Sequence, residues 1–173
     1  MALAKDYTSV MSRSAEIMKE SLGLDFDKFE SGSVAFDYEG LMGATDYTID
    51  QVCAIQSQTG VGNTPLLELR NITKLARKYA KPGYGAQILV KDEAANPSGS
   101  FKDRRAACAV AHAKKLGYKG VIAATSGNYG AAVASQAAMQ GMNCIIVQEC
   151  YDSHGVGQPE IVEKARKCEA LGA

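Results

Sequence analysis

Two short apolar runs separated by one helical stretch constrain the fold of this 173-residue chain more than any other feature. The runs are residues 86–91 (AQILVK) and 120–125 (GVIAAT), which have the length and apolar content of buried strands, and residues 102–116 between them have helical spacing. A strand–helix–strand crossover makes its two strands parallel, so the loops that leave them emerge at the same edge of the sheet. The sequence therefore predicts an α/β fold with an open parallel sheet built from βαβ units.

The loop after each predicted strand carries a chemically distinctive side chain. Lys102 lies in the segment NPSGSFKDR, and Asn128 lies in the segment TSGNYG. Open α/β folds bind ligands at this edge of the sheet, and a helix begins after each loop, so free backbone N–H groups face the same crevice. An anion fits there, because the small residues Ser126 and Gly127 let backbone donors approach it closely.

The setting of Lys102 differs from that of an ordinary surface lysine. Most lysines are solvated charges, but a cation at a helix N-terminus is placed unfavourably against the helix dipole. Lys102 also follows Phe101 in a loop rich in serine and glycine. We therefore predict that Lys102 is an amine suited to covalent chemistry with a carbonyl compound, in one crevice with Asn128.

Four motifs in chain order resemble the successive signatures of the pyridoxal-phosphate enzymes of the tryptophan synthase β-subunit fold type, known as fold type II. They are GNTPL (62–66), KDE (91–93), NPSGSFKDR (96–104) and TSGNYG (125–130). Threonine synthase, threonine dehydratase and diaminopropionate ammonia-lyase share this fold type. The resemblance covers residues 61–173 and implies pyridoxal 5'-phosphate as the cofactor.

The same resemblance implies roles for individual residues. Lys102 would hold the cofactor as a Schiff base and then move protons at the substrate α-carbon. Phe101 would lie against a face of the cofactor ring, and Asn128 would hydrogen-bond the phenolic oxygen of the cofactor. The loop that would grip the amino-acid carboxylate consists of Thr125, Ser126, Gly127 and Tyr129. No metal is implied.

Three further segments, residues 5–11, 121–136 and 148–160, resemble the β subunits of coenzyme A-dependent thiolases of anaerobic ornithine degradation. This implies an acyltransferase that cleaves a 2-amino-4-oxo acid into acetyl-CoA and alanine, with coenzyme A, a smaller α subunit and a homo-oligomer as partners. A lyase or synthase like the three enzymes named above is the alternative, although Arg105 stands where threonine synthases usually have glycine. A non-catalytic regulatory or scaffolding module that retains the fold is a third possibility.

Residues 1–60 and 61–173 differ in pattern. Helical spacing at residues 7–22, and again at residues 48–58 behind a Thr48/Gln51 capping box, predicts a helical N-terminal arm. Residues 61–173 would form the amino-terminal part of the catalytic fold, incomplete at its C-terminus, because the phosphate loop of the family lies further downstream. We expect such a part to be inactive alone.

Composition excludes several other classes of function. The formal net charge of +0 gives no reason to expect nucleic acid or a membrane as partner, and neither GxGxxG nor GxxxxGK[ST] occurs. No apolar run approaches a membrane span of ~18 residues, so a cytoplasmic location is expected. The five cysteines form no CxxC pair and are expected to be free thiols. Cys150 and His154 are expected to lie in a surface loop rather than in a metal site.

Overall fold

The computed structural model describes residues 6–173, so the first five residues of the predicted arm lie outside the described part. The chain forms two compact units, which divide between Gln51 and Val52. This boundary falls within a helix. The boundary predicted from the sequence, between a helical arm (1–60) and the catalytic fold (61–173), is not tested by this division and stays a prediction.

The first unit consists of short helices and one small hairpin. Its elements are α1 (Tyr7–Met11), α2 (Ser14–Leu22), β1 (Glu30–Ser31), β2 (Ala35–Phe36), α3 (Tyr38–Ala44) and the start of α4 (Ile49–Gln58). The helix predicted over residues 7–22 is thus interrupted between α1 and α2, and it ends as expected at Gly23, whose φ of 72° is left-handed. The ring of Phe36 lies 4.8 Å from that of Tyr38 and 5.9 Å from that of Phe26. These aromatic contacts hold the hairpin against the segments that precede and follow it in the chain.

The predicted capping box at the start of α4 is confirmed. The backbone N–H of Gln51 donates to Thr48 Oγ1 at 3.2 Å, and the backbone N–H of Thr48 donates to Gln51 Oε1 at 2.9 Å. Two N–H groups at the helix terminus are thereby satisfied by side chains close in sequence.

The second unit is a mixed α/β structure. Its elements after α4 are β3 (Leu66–Glu68), α5 (Arg70–Tyr79), β4 (Leu89–Lys91), α6 (Lys102–Lys115), β5 (Gly120–Thr125), α7 (Asn128–Gln140), β6 (Asn143–Gln148) and α8 (Pro159–Ala170). The predicted α/β class is confirmed, with β5, α7 and β6 forming a parallel βαβ unit. Pro159 occupies the first turn of α8, where its missing N–H costs nothing.

The predicted placement of the two apolar runs in one parallel sheet is wrong. Within residues 6–173 no ladder joins β4 to β5. Instead β4 pairs antiparallel with β3, with Leu66 opposite Lys91, and β5 pairs parallel with β6, from Gly120 opposite Asn143 to Thr125 opposite Gln148. Only three residues of the first run form a strand, and the backbone hydrogen bonds of this strand go to β3.

The core of the second unit forms where α6 and α7 meet the β5–β6 pair. Its buried residues are Ala106, Val110, Ala123, Ala132 and Val133. The alanines of α7 let the helix axis come close to the sheet, as the alanine-rich sequence predicted. No helix within residues 6–173 has the length and hydropathy needed to cross a membrane.

Candidate active site

The segment that leads into Lys102 is a tight turn held by its own polar groups. Gly99, with φ of +79°, adopts the left-handed conformation that favours glycine, and its N–H donates to the carbonyl of Asn96 at 2.8 Å. The N–H of Ser98 donates to Asp103 Oδ2 at 2.7 Å, and the N–H of Lys102 donates to Ser100 Oγ at 3.1 Å. Asp103 is fully buried, so the first turn of α6 is anchored in the interior.

Lys102 is the first residue of α6, and its side chain is half-buried. Its Nζ lies 4.6 Å from the centroid of the Phe101 ring, within the range of a cation–π contact. The amine therefore lies against an aromatic face. Both residues lie at the start of α6, as predicted from the sequence. Their roles toward a cofactor stay predictions.

The loop that carries Asn128 leads from the end of β5 directly into α7. Thr125 is the last residue of the strand, and its Oγ1 accepts a hydrogen bond from the N–H of Gly127 at 3.0 Å. Asn128 is the first residue of α7, which has no side-chain cap. The N–H groups of its first turn have no partner within the helix, so they are available to an anion such as a carboxylate.

The two helices that begin at Lys102 and Asn128 lie side by side and run in the same direction. At one end, the guanidinium of Arg105 lies 4.6 Å from the centroid of the Tyr129 ring. At the other end, Lys114 Nζ donates to the carbonyl of Gln140 at 2.7 Å. The N-terminal turns of α6 and α7 are therefore neighbours. The structure brings Lys102 and Asn128 to one end of a helix pair, although the strands that precede them are not paired as predicted.

A cavity of about 310 Å³ lies beside these first turns, between α6, β5 and α7. Polar and apolar surface contribute about equally to its wall, and its lining residues are Arg105, Ala109, Val110, Val121, Ile122, Ala123, Ala124, Tyr129 and Val133. The remaining predicted site residue, Ser126, is exposed in the loop between β5 and α7. Among the predicted site residues, Tyr129 lines this cavity, and the others lie at the starts of α6 and α7 or in the segments that lead into them.

A partly buried ion pair next to this region was not foreseen from the sequence. Glu93 and Arg104 are joined by two hydrogen bonds, from Arg104 Nε to Glu93 Oε2 at 2.7 Å and from Arg104 Nη2 to Glu93 Oε1 at 2.8 Å. The hydrogen bonds from Arg104 and from the Thr64 hydroxyl hold the pKa of the Glu93 carboxyl at about 2, well below its usual 4.5. All three residues lie in the recognised motifs, but spacing alone does not show that these motifs converge on one carboxylate.

The cysteines and the polar loop after β6 contribute no second site. Asp152 orders this loop, since its Oδ1 accepts from the N–H groups of His154 and Val156, both at 2.9 Å. Among residues 6–173 no cluster of three or more His, Cys, Asp or Glu side chains has the arrangement of a metal site. The five cysteines are free thiols, as predicted, and burial raises the pKa of the thiols of Cys108, Cys144 and Cys168.

Comparison with known proteins identifies the family. Residues 57–173, well over half of the chain, match the family described as "Pyridoxal-phosphate dependent enzyme". The chain belongs to this family. The predicted family, fold class and cofactor are thereby confirmed.

Individual relatives show which members of the family the chain resembles. It is 73% identical, over 173 residues, to the "2-amino-4-ketopentanoate thiolase beta subunit" of Acetoanaerobium sticklandii, and the match covers 99% of the chain and 37% of that relative. It is 46% identical over 88 residues to a threonine synthase of Halalkalibacterium halodurans, covering 51% of the chain and 23% of that enzyme. The chain therefore spans little more than a third of the length of the thiolase subunit that it matches.

A solved structure shows the same fold. The crystal structure of cysteine synthase from Entamoeba histolytica matches 83% of the chain and 37% of that structure, with a TM-score of 0.53 and 29% sequence identity. The resemblance of the sequence to thiolase β subunits is also confirmed as a similarity. What the chain catalyses is a separate question.

Proposed function

We propose that this chain carries the lysine-bearing part of a 2-amino-4-ketopentanoate thiolase β subunit. The observation that carries the proposal is the parallel pair α6 and α7, whose adjacent N-terminal turns present Lys102 and Asn128. The 73% identity to a subunit of that name supports the choice of reaction. The reaction would be a coenzyme A-dependent cleavage to acetyl-CoA and alanine in ornithine degradation, with a smaller α subunit as partner.

The residues at the two helix starts fit pyridoxal phosphate. The cofactor needs an amine, an aromatic or apolar surface for its ring and a hydrogen-bond donor for its phenolic oxygen. Lys102 supplies the amine, the Phe101 ring lies beside it, and Asn128 supplies an amide at the adjacent helix start. When bound, the cofactor supplies an electron sink for carbanion chemistry at the α-carbon.

The protein's own residues would do the positioning and the proton transfer. Lys102 would hold the cofactor covalently through Nζ and, once free, would take and return a proton at the α-carbon. The N–H group of Ser126 and the uncapped start of α7 would orient the substrate carboxylate. An added Cβ at Gly127 meets no atom within 4 Å, so the backbone there is open to a ligand.

One contact favours the thiolase over a threonine synthase. Arg105, which replaces the glycine usual in threonine synthases, places its guanidinium over the ring of Tyr129, in the loop assigned to the substrate carboxylate. A glycine at residue 105 has no side chain to make this contact. A non-catalytic module is the second candidate, and the first experiment separates it from an enzyme.

The first experiment tests covalent attachment in the complete protein. The wild type should absorb near ~410–420 nm and lose that band on borohydride reduction, with the label at Lys102. Lys102→Ala should be colourless, whereas Lys114→Ala, at the far end of the same helix, should keep the band. A colourless wild type would refute the proposal and favour the non-catalytic module.

The second experiment tests the reaction and the role of Asn128. With the α subunit and coenzyme A present, the wild type should form acetyl-CoA from 2-amino-4-ketopentanoate, and Lys102→Ala should not. Asn128→Ala should keep the covalent linkage but shift its band and slow turnover, because one hydrogen bond to the cofactor is lost. An unchanged spectrum and rate in Asn128→Ala would contradict the role assigned to that residue.

A further inference from the structure

The turn that carries Lys102 is held at both ends by one oxygen atom. Glu93 Oε2 accepts a hydrogen bond from Asn96 Nδ2 at 2.9 Å and another from Arg104 Nε at 2.7 Å. Asn96 begins the turn, and Arg104 lies in the first turn of α6, two residues after Lys102. The distance between the two ends of the turn is therefore set through a single carboxylate.

Asn96 and Arg104 are each held by a further hydrogen bond from an earlier segment of the chain. Asn96 is 4% exposed, and its Oδ1 accepts from the N–H of Gly62 at 3.0 Å. The carbonyl of Arg104 accepts from Gln56 Nε2 at 3.1 Å. The other Glu93 oxygen, Oε1, accepts from the Thr64 hydroxyl at 2.7 Å. Through Arg104, Asn96 and Glu93, the turn is thus tied to α4 and to the segment of Gly62 and Thr64.

The carboxylate of Glu93 is difficult to replace, because it accepts several hydrogen bonds at once. Four donor groups converge on the two oxygens of Glu93: two from Arg104 and one each from Thr64 and Asn96. An ionised carboxylate accepts all of them, and the planar fork of an arginine matches its geometry. A glutamine of the same shape would place an NH₂ group against at least one donor, so at least one of these contacts must open.

We propose that Glu93 is a positioning residue, which acts through Asn96 and Arg104 to hold the Lys102 amine in the orientation needed for attachment of the cofactor. The inference rests on the proposed function and adds a determinant to the same site. Glu93 itself does not touch Lys102 among the contacts described, so its effect passes through the turn. A lysine that is displaced by ~1 Å can lose ~10²-fold in reactivity.

The experiment measures attachment separately from turnover. Apoenzyme of the complete protein is mixed with pyridoxal phosphate, quenched with borohydride at set times, and the label at Lys102 is counted by mass spectrometry. Glu93→Gln and Arg104→Lys are compared at a temperature where circular dichroism shows both to be folded. Arg104→Lys keeps the positive charge but loses the bidentate contact with Glu93. If Glu93→Gln does not fold, Arg104→Lys still tests the proposal.

Two controls separate positioning from general stability. Glu163→Gln opens an ion pair of the same type with Arg166 on the exposed surface of α8. Thr64→Val removes one of the two donors on Glu93 Oε1 and leaves untouched the oxygen that joins Asn96 to Arg104. It should lower stability, because a buried partner is lost, yet keep the attachment rate near that of the wild type.

The expected result is an attachment rate at least ~tenfold slower in Glu93→Gln and Arg104→Lys, with faster hydrogen exchange at the amides of residues 98–103. Rates within about twofold of the wild type in these folded variants would overturn the inference, as would an equal slowing in Thr64→Val. The proposed function fails separately. If the wild type is never labelled by the cofactor at Lys102, both proposals are wrong. If every variant is labelled at the normal rate, only the role proposed for Glu93 is wrong.

Discussion

Gly130 lies where α7 approaches β5 and β6 most closely, and this closeness can be tested by adding one methyl group. A Cβ at residue 130 would lie 2.5 Å from Thr125 Cγ2 and 3.0 Å from Ile146 Cγ2. Carbon atoms in contact prefer ~3.5–4.0 Å, so Thr125 would have to move by roughly 1 Å. Both neighbours are β-branched, and their stiff side chains relax little.

The expected cost of Gly130→Ala follows from two opposing effects. Overpacking of a core typically costs ~1–3 kcal/mol, whereas replacing glycine by alanine inside a helix gains ~1 kcal/mol. Because two stiff side chains are pressed at once, we place the overpacking near its upper end. The variant should therefore be less stable than the wild type by about 1–2 kcal/mol.

The assay is urea unfolding of a double-mutant cycle in the complete protein. Thr125→Ser removes Cγ2 and keeps the hydroxyl that accepts from Gly127. The closer of the two clashes then disappears, so Thr125→Ser should recover at least ~1 kcal/mol when combined with Gly130→Ala. Gly130→Ala alone should also shift the cofactor band, since Asn128 lies half a turn away. An alanine variant as stable as the wild type, with no coupling to Thr125, would refute the close approach.

Three further outcomes are expected. Gln136 is fully buried and neither amide atom has a partner among residues 6–173, so Gln136→Met should stabilise the protein by ~1–2 kcal/mol in urea; a loss of stability would reveal a hidden hydrogen bond. Because Arg104 holds the pKa of Glu93 at about 2, the stability that this carboxylate contributes is complete above pH 4.5 and is lost as the pH falls toward 2. The stability gap between the wild type and Glu93→Gln should narrow over that window, and a constant gap would argue against the ion pair. Exposed Cys53 should react with iodoacetamide at least ~tenfold faster than Cys168, which is 3% exposed and whose thiol pKa is raised by burial; similar rates would contradict this burial.

Elements whose signals are local were predicted well from the sequence. Strand β5 has the predicted bounds Gly120–Thr125, Pro159 opens α8, and the Thr48/Gln51 capping box is formed. Each of these depends on residues within a few positions of one another. Backbone geometry and side-chain capping act over that range, so the sequence alone carries the information.

The choice of partners could not be predicted in the same way. The run that ends at Lys91 was expected to lie in one parallel sheet with β5, but it pairs antiparallel with β3. Pairing depends on which hydrogen-bonding edge is free once the chain has folded, and periodicity carries no information about edges. The convergence of Glu93, Arg104 and Thr64 has the same origin, since these residues are far apart in sequence.

The order of residue types along the chain determined its α/β class, its cofactor family and the two loops that carry Lys102 and Asn128. The tertiary structure decided how those loops meet. They come together because α6 and α7 pack in parallel, with Arg105 against Tyr129 at one end, and because Glu93 closes the turn before Lys102. Helix packing and ion pairing join residues that are distant in sequence, so they take their form only once the chain has folded.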